Sequence, residues 1–282
     1  MEVELAQELG FCSGVRRALR LLRKAAREYG NVVTLGDAVH NRQVVEELSG
    51  IGVKSIVSIS EVDSQVVAVP SHGLSKQNLD EIRAMGLSIV DTTCPRVERA
   101  QRSAAGLVKA GFQVVVFGDI HHPEVEGILS WTHGKGRALR FPEEMAGIEG
   151  SLKSLGILSQ TTQNIDAFAA FASKLVSMHL GTIEEVRVVN TICDATKKRQ
   201  EAALELARKV DLMVVIGGYN SANTGRLAEV CASTGVETHH VEAAWELEAE
   251  QLKGKRIGIS AGASTPDHVI RDVVVRLKNI ES

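Results

Sequence analysis

What this chain lacks narrows its reading first. Four cysteines occur in 282 residues, yet none form a Cys-x-x-Cys pair, which disfavours the usual tetrahedral zinc sites with two close ligands. There is no Gly-x-x-x-x-Gly-Lys-Ser/Thr loop and no Gly-x-Gly-x-x-Gly, so nucleotide binding has no motif support. No apolar run is long enough to span a bilayer, and no membrane partner is expected. The opening Met-Glu-Val-Glu-Leu has neither the basic region nor the apolar stretch of a secretory signal. The expected location is therefore cytoplasmic, where structural disulfides are rare. The formal net charge is −3, so no global basic field points to nucleic acid. Aromatics are only 4%, which leaves Val, Ile, Leu and Ala to build the cores; 44% hydrophobic content is ample for more than one domain.

What is present is a regular alternation. Short apolar runs such as Val32–Leu35, Val66–Val69, Val114–Phe117, Gly156–Leu158, Leu212–Ile216 and Arg256–Ser260 are each followed by an amphipathic stretch. These stretches are Arg42–Ser49, Lys76–Met85, Glu124–Ser130, Ile165–His179, Thr224–Thr234 and Pro266–Lys278. Continuous Val/Ile runs are how parallel strands buried on both faces read, and their alternation with helices predicts an α/β fold. The stretch Thr132–Arg137 reads as the most loop-like part of the chain.

Three cysteines share one setting. Cys12 lies between the strand-like Val3–Ala6 and the helical Val15–Tyr29. Cys94 lies in Asp91-Thr-Thr-Cys-Pro95, between Leu87–Val90 and Arg96–Ala110. Cys193 lies in Asn190-Thr-Ile-Cys-Asp194, between Val186–Val189 and Ala195–Lys209. Pro95 suits a first helical position, and free N–H groups at a helix start favour anionic sulfur. Cys231, inside the apolar Leu227–Ala232 stretch, reads as a small buried residue without function. The spacing predicts three similar α/β modules, 1–95, 96–193 and 194–282, each offering one thiolate. Metal binding, catalysis and plain burial all remain open for these thiols. Three isolated cysteines suit a cubane iron–sulfur cluster better than zinc, with one iron left without a protein thiolate.

The other polar signals also fall just after strands, where open α/β sheets bind ligands. His40, His72 and His122 each follow a strand, and as donors they suit a phosphate or diphosphate. Ser221, Asn223 and Ser264 sit near helix starts, where N–H groups face anions; the same residues also serve as ordinary N-caps. Glu124 follows His122 and Pro123, and Thr161 is a hydroxyl partner for such an acid.

Taken together, Gly10-Phe-Cys-Ser-Gly-Val15, Val39-His-Asn41, Ser71-His-Gly73, Asp91-Thr-Thr-Cys-Pro95, His122-Pro-Glu-Val-Glu-Gly127, Ser159-Gln-Thr-Thr162, Ile192-Cys193, Asn220-Ser-Ala-Asn223 and Ala261-Gly-Ala-Ser264 resemble the 4-hydroxy-3-methylbut-2-enyl diphosphate reductase family. The segments run in family order across nearly the whole chain. The resemblance implies three α/β domains in pseudo-threefold arrangement around one central [4Fe–4S] cluster, held by Cys12, Cys94 and Cys193. It implies an allylic diphosphate substrate bound by His40, His72, His122, Thr161, Ser221, Asn223 and Ser264, with Glu124, Thr161 and His122 at the reacting end. It also implies an external one-electron donor of ferredoxin or flavodoxin type. Ala222 departs from members that carry a second Ser there. The alternative readings are a quinolinate synthase-like enzyme, whose motifs do not match, and a non-catalytic iron–sulfur sensor or carrier, which has no need of the polar set.

Overall fold

The computed structural model describes residues 2–145 and 153–281. The chain forms two compact units, one of Met1–Arg16, Val39–Glu47 and Asp194–Ser282, the other of Arg17–Ala38 and Leu48–Cys193. Among the described residues no helix is long and apolar enough to cross a membrane.

The second unit holds two four-stranded parallel sheets. The first is built from β2 (Val32–Leu35), β3 (Val53–Ile56), β4 (Val66–Val69) and β5 (Ser88–Asp91), in the order β3-β2-β4-β5. The other is built from β6 (Gln113–Phe117), β7 (Gly136–Leu139), β8 (Ser154–Ser159) and β9 (Glu185–Val189), in the order β7-β6-β8-β9. Helices α1 (Ser13–Tyr29), α2 (Arg42–Ser49), α3 (Lys76–Ala84), α4 (Pro95–Lys109), α5 (Pro123–Ser130) and α6 (Ile165–His179) alternate with these strands in sequence. The two central strands of this sheet, β6 and β8, are buried on both faces. Val115, Leu155 and Ile157 pack against Phe168, Phe171 and Leu175 of α6, and Val114, Val116 and Leu158 pack against α4 and α5. That explains the continuous apolar runs of β6 and β8.

The first unit carries the third parallel sheet, made of β1 (Glu2–Leu5), β10 (Leu212–Ile216), β11 (Glu237–Val241) and β12 (Arg256–Ala261). Its order is β1-β12-β10-β11. Helices α7 (Asp194–Ala207), α8 (Ala222–Ala232), the short α9 (Ala249–Leu252) and α10 (Asp267–Glu281) complete it. Read from its other edge, this sheet is β11-β10-β12-β1, the same topology as the other two with the N-terminal strand as its fourth member. A circularly permuted module has no collinear repeat, which is why the sequence shows none.

Two expectations need correction. Thr132–Arg137 is not loop throughout: β7 starts at Gly136, opposite Val114. And β3, β7 and β11 have no counterpart among the apolar runs. Each is the outer strand next to the first strand of its module, and its partly exposed residues break the apolar pattern. The short α9 also has no expected counterpart, and the remaining strands and helices lie within two or three residues of their expected ends.

In each sheet the connections leave in opposite directions from two central strands: β2 and β4, β6 and β8, β10 and β12. Such switch points open a crevice beyond the strand ends. His40 and His72 follow β2 and β4, Glu124 and Thr161 follow β6 and β8, and Ser221, Asn223 and Ser264 follow β10 and β12.

Candidate active site

The three cysteine turns are built alike. Each follows the edge strand beyond the switch point: β5 for Cys94, β9 for Cys193 and β1 for Cys12. Each cysteine N–H donates to the carbonyl two residues past the third strand of its sheet. Cys94 donates to Ser71 at 2.9 Å, Cys193 to Thr161 at 2.9 Å and Cys12 to Ala263 at 3.1 Å. In two turns the preceding residues repeat as well. Asp91 Oδ1 accepts from the Thr93 N–H and Asn190 Oδ1 from the Ile192 N–H, closing Asx turns. The hydroxyls of Thr92 and Thr191 donate to the last carbonyls of β4 and β8, Val69 and Ser159. The Cys12 turn differs. Gly10 stands where the others have Thr, at φ 73°, and a Cβ there would meet Ile270 Cδ1 at 3.0 Å. Its carbonyl accepts from Arg199 of α7 at 2.7 Å, while Arg199 also bonds the Ala195 carbonyl at 2.9 Å. Arg199, 4% exposed, was not legible in the sequence: it lies in a charged stretch, Lys197-Lys-Arg199, that reads as a solvated face.

Cys12, Cys94 and Cys193 are partly exposed and in no disulfide; Cys231 is buried. Cys94 is the N-cap residue of α4, with Pro95 at the first helical position. Cys12 Sγ accepts the Val15 N–H of α1 at 3.4 Å. Cys193 immediately precedes α7. Burial pushes the Cys231 thiol up to about 12, so it stays protonated and inert. Among the described residues no three His, Cys, Asp or Glu side chains stand together as a metal-binding group. On donor chemistry, three thiols at three equivalent helix starts fit the ligand set of an iron–sulfur cluster.

The crevice between β6 and β8 holds an acid. Pro123 opens α5 and places Glu124 in its first turn. The carboxyl is 3% exposed. Both oxygens bond Thr161, Oε1 from its N–H at 2.6 Å and Oε2 with its hydroxyl at 2.8 Å. Burial pushes Glu124 from 4.5 up to about 7, against the opposing pull of those two bonds. His122 is the N-cap, its Nδ1 accepting the Glu124 N–H at 3.1 Å. A neutral ring that accepts at Nδ1 carries its proton on Nε2. Gln160 is fully buried, its Oε1 accepting from the Asp119 N–H and Gln163 Nε2.

At the crevice between β2 and β4, His72 is buried, with Nδ1 3.0 Å from the Gly73 carbonyl and Nε2 3.2 Å from the Asp37 carbonyl. The His40 carbonyl accepts from Ser264 Oγ at 3.0 Å. Ser264 follows β12 and Ser221 follows β10. Ser221 caps α8 by accepting the Thr224 N–H at 3.3 Å. Asn223 Nδ2 is buried with no hydrogen-bond partner among the described residues. The backbones are tightly set: a Cβ on Gly262 would lie 2.1 Å from Thr224 Oγ1. The structure thus joins Glu124, Thr161 and His122 in one group, and Ser264 with His40. Ser221 and Asn223 share one helix start.

The family model for LytB protein matches residues 3–278. A 4-hydroxy-3-methylbut-2-enyl diphosphate reductase of Dehalococcoides mccartyi (strain CBDB1) is 46% identical over 283 aligned positions, covering 100% of this chain and 99% of that protein. The protein of the same name from Geobacter metallireducens (strain ATCC 53774 / DSM 7210 / GS-15) is 44% identical, with coverage of 100% and 99%. A solved structure of (E)-4-hydroxy-3-methyl-but-2-enyl diphosphate reductase, the terminal enzyme of the non-mevalonate pathway, is 37% identical. It aligns with 99% of this chain and 100% of its own at a TM-score of 0.71. The Plasmodium falciparum E-1-hydroxy-2-methyl-but-2-enyl-4-diphosphate reductase is 24% identical and shares the fold, with a TM-score of 0.90 and coverage of 97% and 87%. With matches running its full length, this chain belongs to the LytB protein family, an α/β family whose curated relatives here are reductases.

Proposed function

We propose that the protein reductively dehydroxylates 4-hydroxy-3-methylbut-2-enyl diphosphate to isopentenyl and dimethylallyl diphosphate in the cytoplasm. In this reading the modules 1–95, 96–193 and 194–282, with β1 joined to the third, bring Cys12, Cys94 and Cys193 around one [4Fe–4S] cluster. When bound, the cluster supplies electrons one at a time and a Lewis-acidic iron without a protein thiolate.

The chain's own residues do the rest. An allylic hydroxyl leaves poorly as hydroxide, and a donated proton turns it into water. Glu124 is the donor: burial keeps its proton on near neutral pH, close to the optimum for a general acid. The Thr161 hydroxyl, 2.8 Å from Oε2, accepts that proton and passes its own onward, while its N–H holds the carboxyl in place. His122 fixes the start of α5 and presents Nε2–H as a donor. Ser221, Asn223 and Ser264, with the N-terminal end of α8, form the anion-binding set for the diphosphate. The unpartnered amide of Asn223 is the donor most in need of such a ligand. His40 and His72 complete the polar lining of the substrate site.

The observation that carries the reading is the buried Glu124–Thr161 pair at a strand switch point, in a chain with three equivalent cysteine turns. The test is anaerobic incubation of iron-loaded protein with the substrate and dithionite-reduced methyl viologen. Both C5 diphosphates are expected as products by mass spectrometry. Substrate left intact by iron-loaded protein overturns the proposal.

A further inference from the structure

Each cysteine turn accepts a hydrogen bond from an arginine, and that arginine stands on the helix that follows a different cysteine. Arg17 of α1, the helix after Cys12, donates from Nη1 to the Thr93 carbonyl beside Cys94 at 3.1 Å. Arg99 of α4, the helix after Cys94, donates from Nη2 to the Asn190 carbonyl ahead of Cys193 at 3.3 Å. Arg199 of α7, the helix after Cys193, donates from Nη2 to the Gly10 carbonyl ahead of Cys12 at 2.7 Å. The donors occupy matching places: the fifth residue after Cys12, the fifth after Cys94 and the sixth after Cys193. The order of the contacts is cyclic, from the helix of Cys12 to the turn of Cys94, on to the turn of Cys193 and back to the turn of Cys12. Every one of these bonds lies within a single compact unit. Arg17, Thr93, Arg99 and Asn190 belong to one unit, Arg199 and Gly10 to the other. Other arginines of these helices serve local partners. Arg102 pairs with Glu98, and Arg16 bonds Asp267 and the Phe11 carbonyl.

The gripped carbonyls sit where they can order the turn. The Thr93 carbonyl shares one planar peptide with the Cys94 N–H. That plane is pinned at both ends, by Arg17 and by the Ser71 carbonyl at 2.9 Å. Gly10 lies in the left-handed region at φ 73° and has no threonine hydroxyl to tie it to a neighbouring strand. There Arg199 joins the turn to α7 by bonding the Ala195 carbonyl as well, at 2.9 Å. A planar guanidinium suits such a double contact. Bonds from charged donors are stronger than neutral ones, and exposure to water weakens them. Arg199 is buried, Arg17 half-buried and Arg99 exposed, which ranks the three.

We infer that Arg17, Arg99 and Arg199 are positioning residues, each ordering the cysteine turn it grips before any metal binds. A thiol already held in place loses less freedom on taking up a metal, so the metal is kept longer. The inference rests on the proposed function in taking these thiols as iron ligands; the ordering of the turns does not depend on it.

The test is hydrogen–deuterium exchange read by mass spectrometry on the iron-free full chain, resolved for the peptides that contain Cys12, Cys94 and Cys193. The parent is compared with Arg17→Met, Arg99→Met and Arg199→Met, which keep an unbranched stem and lose the guanidinium. Each variant is expected to free the turn it grips and not the turn nearest in sequence. Arg199→Met should speed exchange in the Cys12 peptide by about tenfold or more and leave the Cys193 peptide within about threefold. Arg17→Met should act likewise on the Cys94 peptide by a smaller factor, and Arg99→Met least, on the Cys193 peptide. Arg17→Lys keeps a cationic donor and is expected to exchange like the parent. Iron-loaded Arg199→Met should lose iron to a chelator faster than the iron-loaded parent does. Unchanged exchange at the gripped turns, or an equal change at all three, overturns the inference, and so does Arg17→Lys exchanging as fast as Arg17→Met. Iron kept as long by Arg199→Met as by the parent overturns the role in holding metal. Where Arg199→Met does not fold, the Arg17 pair decides. A parent with this exchange pattern that leaves the allylic diphosphate intact refutes the proposed function while the ordering of the turns stands.

Discussion

The crevice between β6 and β8 and the one between β10 and β12 share a topology and use it in opposite ways. In the first, a carboxyl is shut away from water with both oxygens engaged by one threonine, and burial holds its proton near neutral pH. In the second, hydroxyls cap a helix and a loop carbonyl while a buried amide, Asn223 Nδ2, has no partner. In the proposed function the first crevice supplies a proton and the second receives an anion. The difference lies in side chains placed at equivalent strand ends, since the backbone plan, down to the cysteine N–H that bonds the adjacent turn, is common to both.

The largest effect expected from breaking this contrast is on turnover. Glu124→Gln keeps the shape and removes the transferable proton, so it should lower kcat by roughly 10²–10⁴-fold, with iron content and substrate affinity close to the parent's. Steady-state rates with reduced methyl viologen, set beside iron analysis, check this. Loss of iron in that variant would instead make Glu124 a structural residue.

Next comes stability against pH. The folded value of Glu124, about 7, lies above its ordinary 4.5. The stability tied to the neutral carboxyl is therefore fully present below about pH 4.5 and is lost as pH rises through about 7. At 1.36 kcal/mol per pH unit this amounts to about 3 kcal/mol. Urea unfolding of parent and Glu124→Gln from pH 4 to pH 8 should show the parent losing ground by about that amount relative to the variant. Parallel curves would mean that the carboxyl ionises alike in both states.

A smaller effect is expected in the other crevice. Asn223→Ala removes one donor to a charged ligand, which is typically worth about 1.5–3 kcal/mol, so inorganic diphosphate should bind roughly tenfold or more weakly. The same change should leave the Glu124 titration unmoved. Thr161→Val is expected to be milder in binding but to lower kcat, because the Thr161 N–H still holds Oε1 while the hydroxyl path is gone.

Much of this architecture was legible in the sequence, for identifiable reasons. The central strands β2, β4, β6, β8, β10 and β12 are flanked by other strands and helices, so their apolar runs stand out. β3, β7 and β11 were missed because an outer strand such as Gly136–Leu139 alternates too irregularly to separate from a loop. The cysteine turns were visible through Gly10, Pro95 and the Asp91-Thr and Asn190-Thr pairs. What those pairs do, an Asx turn and a hydroxyl bond to the neighbouring strand, appears only once β5 and β9 lie beside β4 and β8. Arg199 was hidden because burial of a cation depends on the Gly10 carbonyl, which is remote in sequence. His122 reads as a ligand in sequence and acts first as an N-cap in the fold. Sequence spacing gives a side chain's neighbourhood, and only the backbone decides which of its two nitrogens is engaged.

The measurement that bears most directly on the account is the protonation of Glu124 itself. Infrared difference spectra of parent against Glu124→Gln, recorded from pH 4 to pH 9, isolate the carboxylic C=O stretch of this one residue. The account predicts a protonated band that persists past pH 6 and fades with a midpoint of about 7. A band already lost by pH 5 would contradict it, since an ionised Glu124 has no proton to give the leaving hydroxyl.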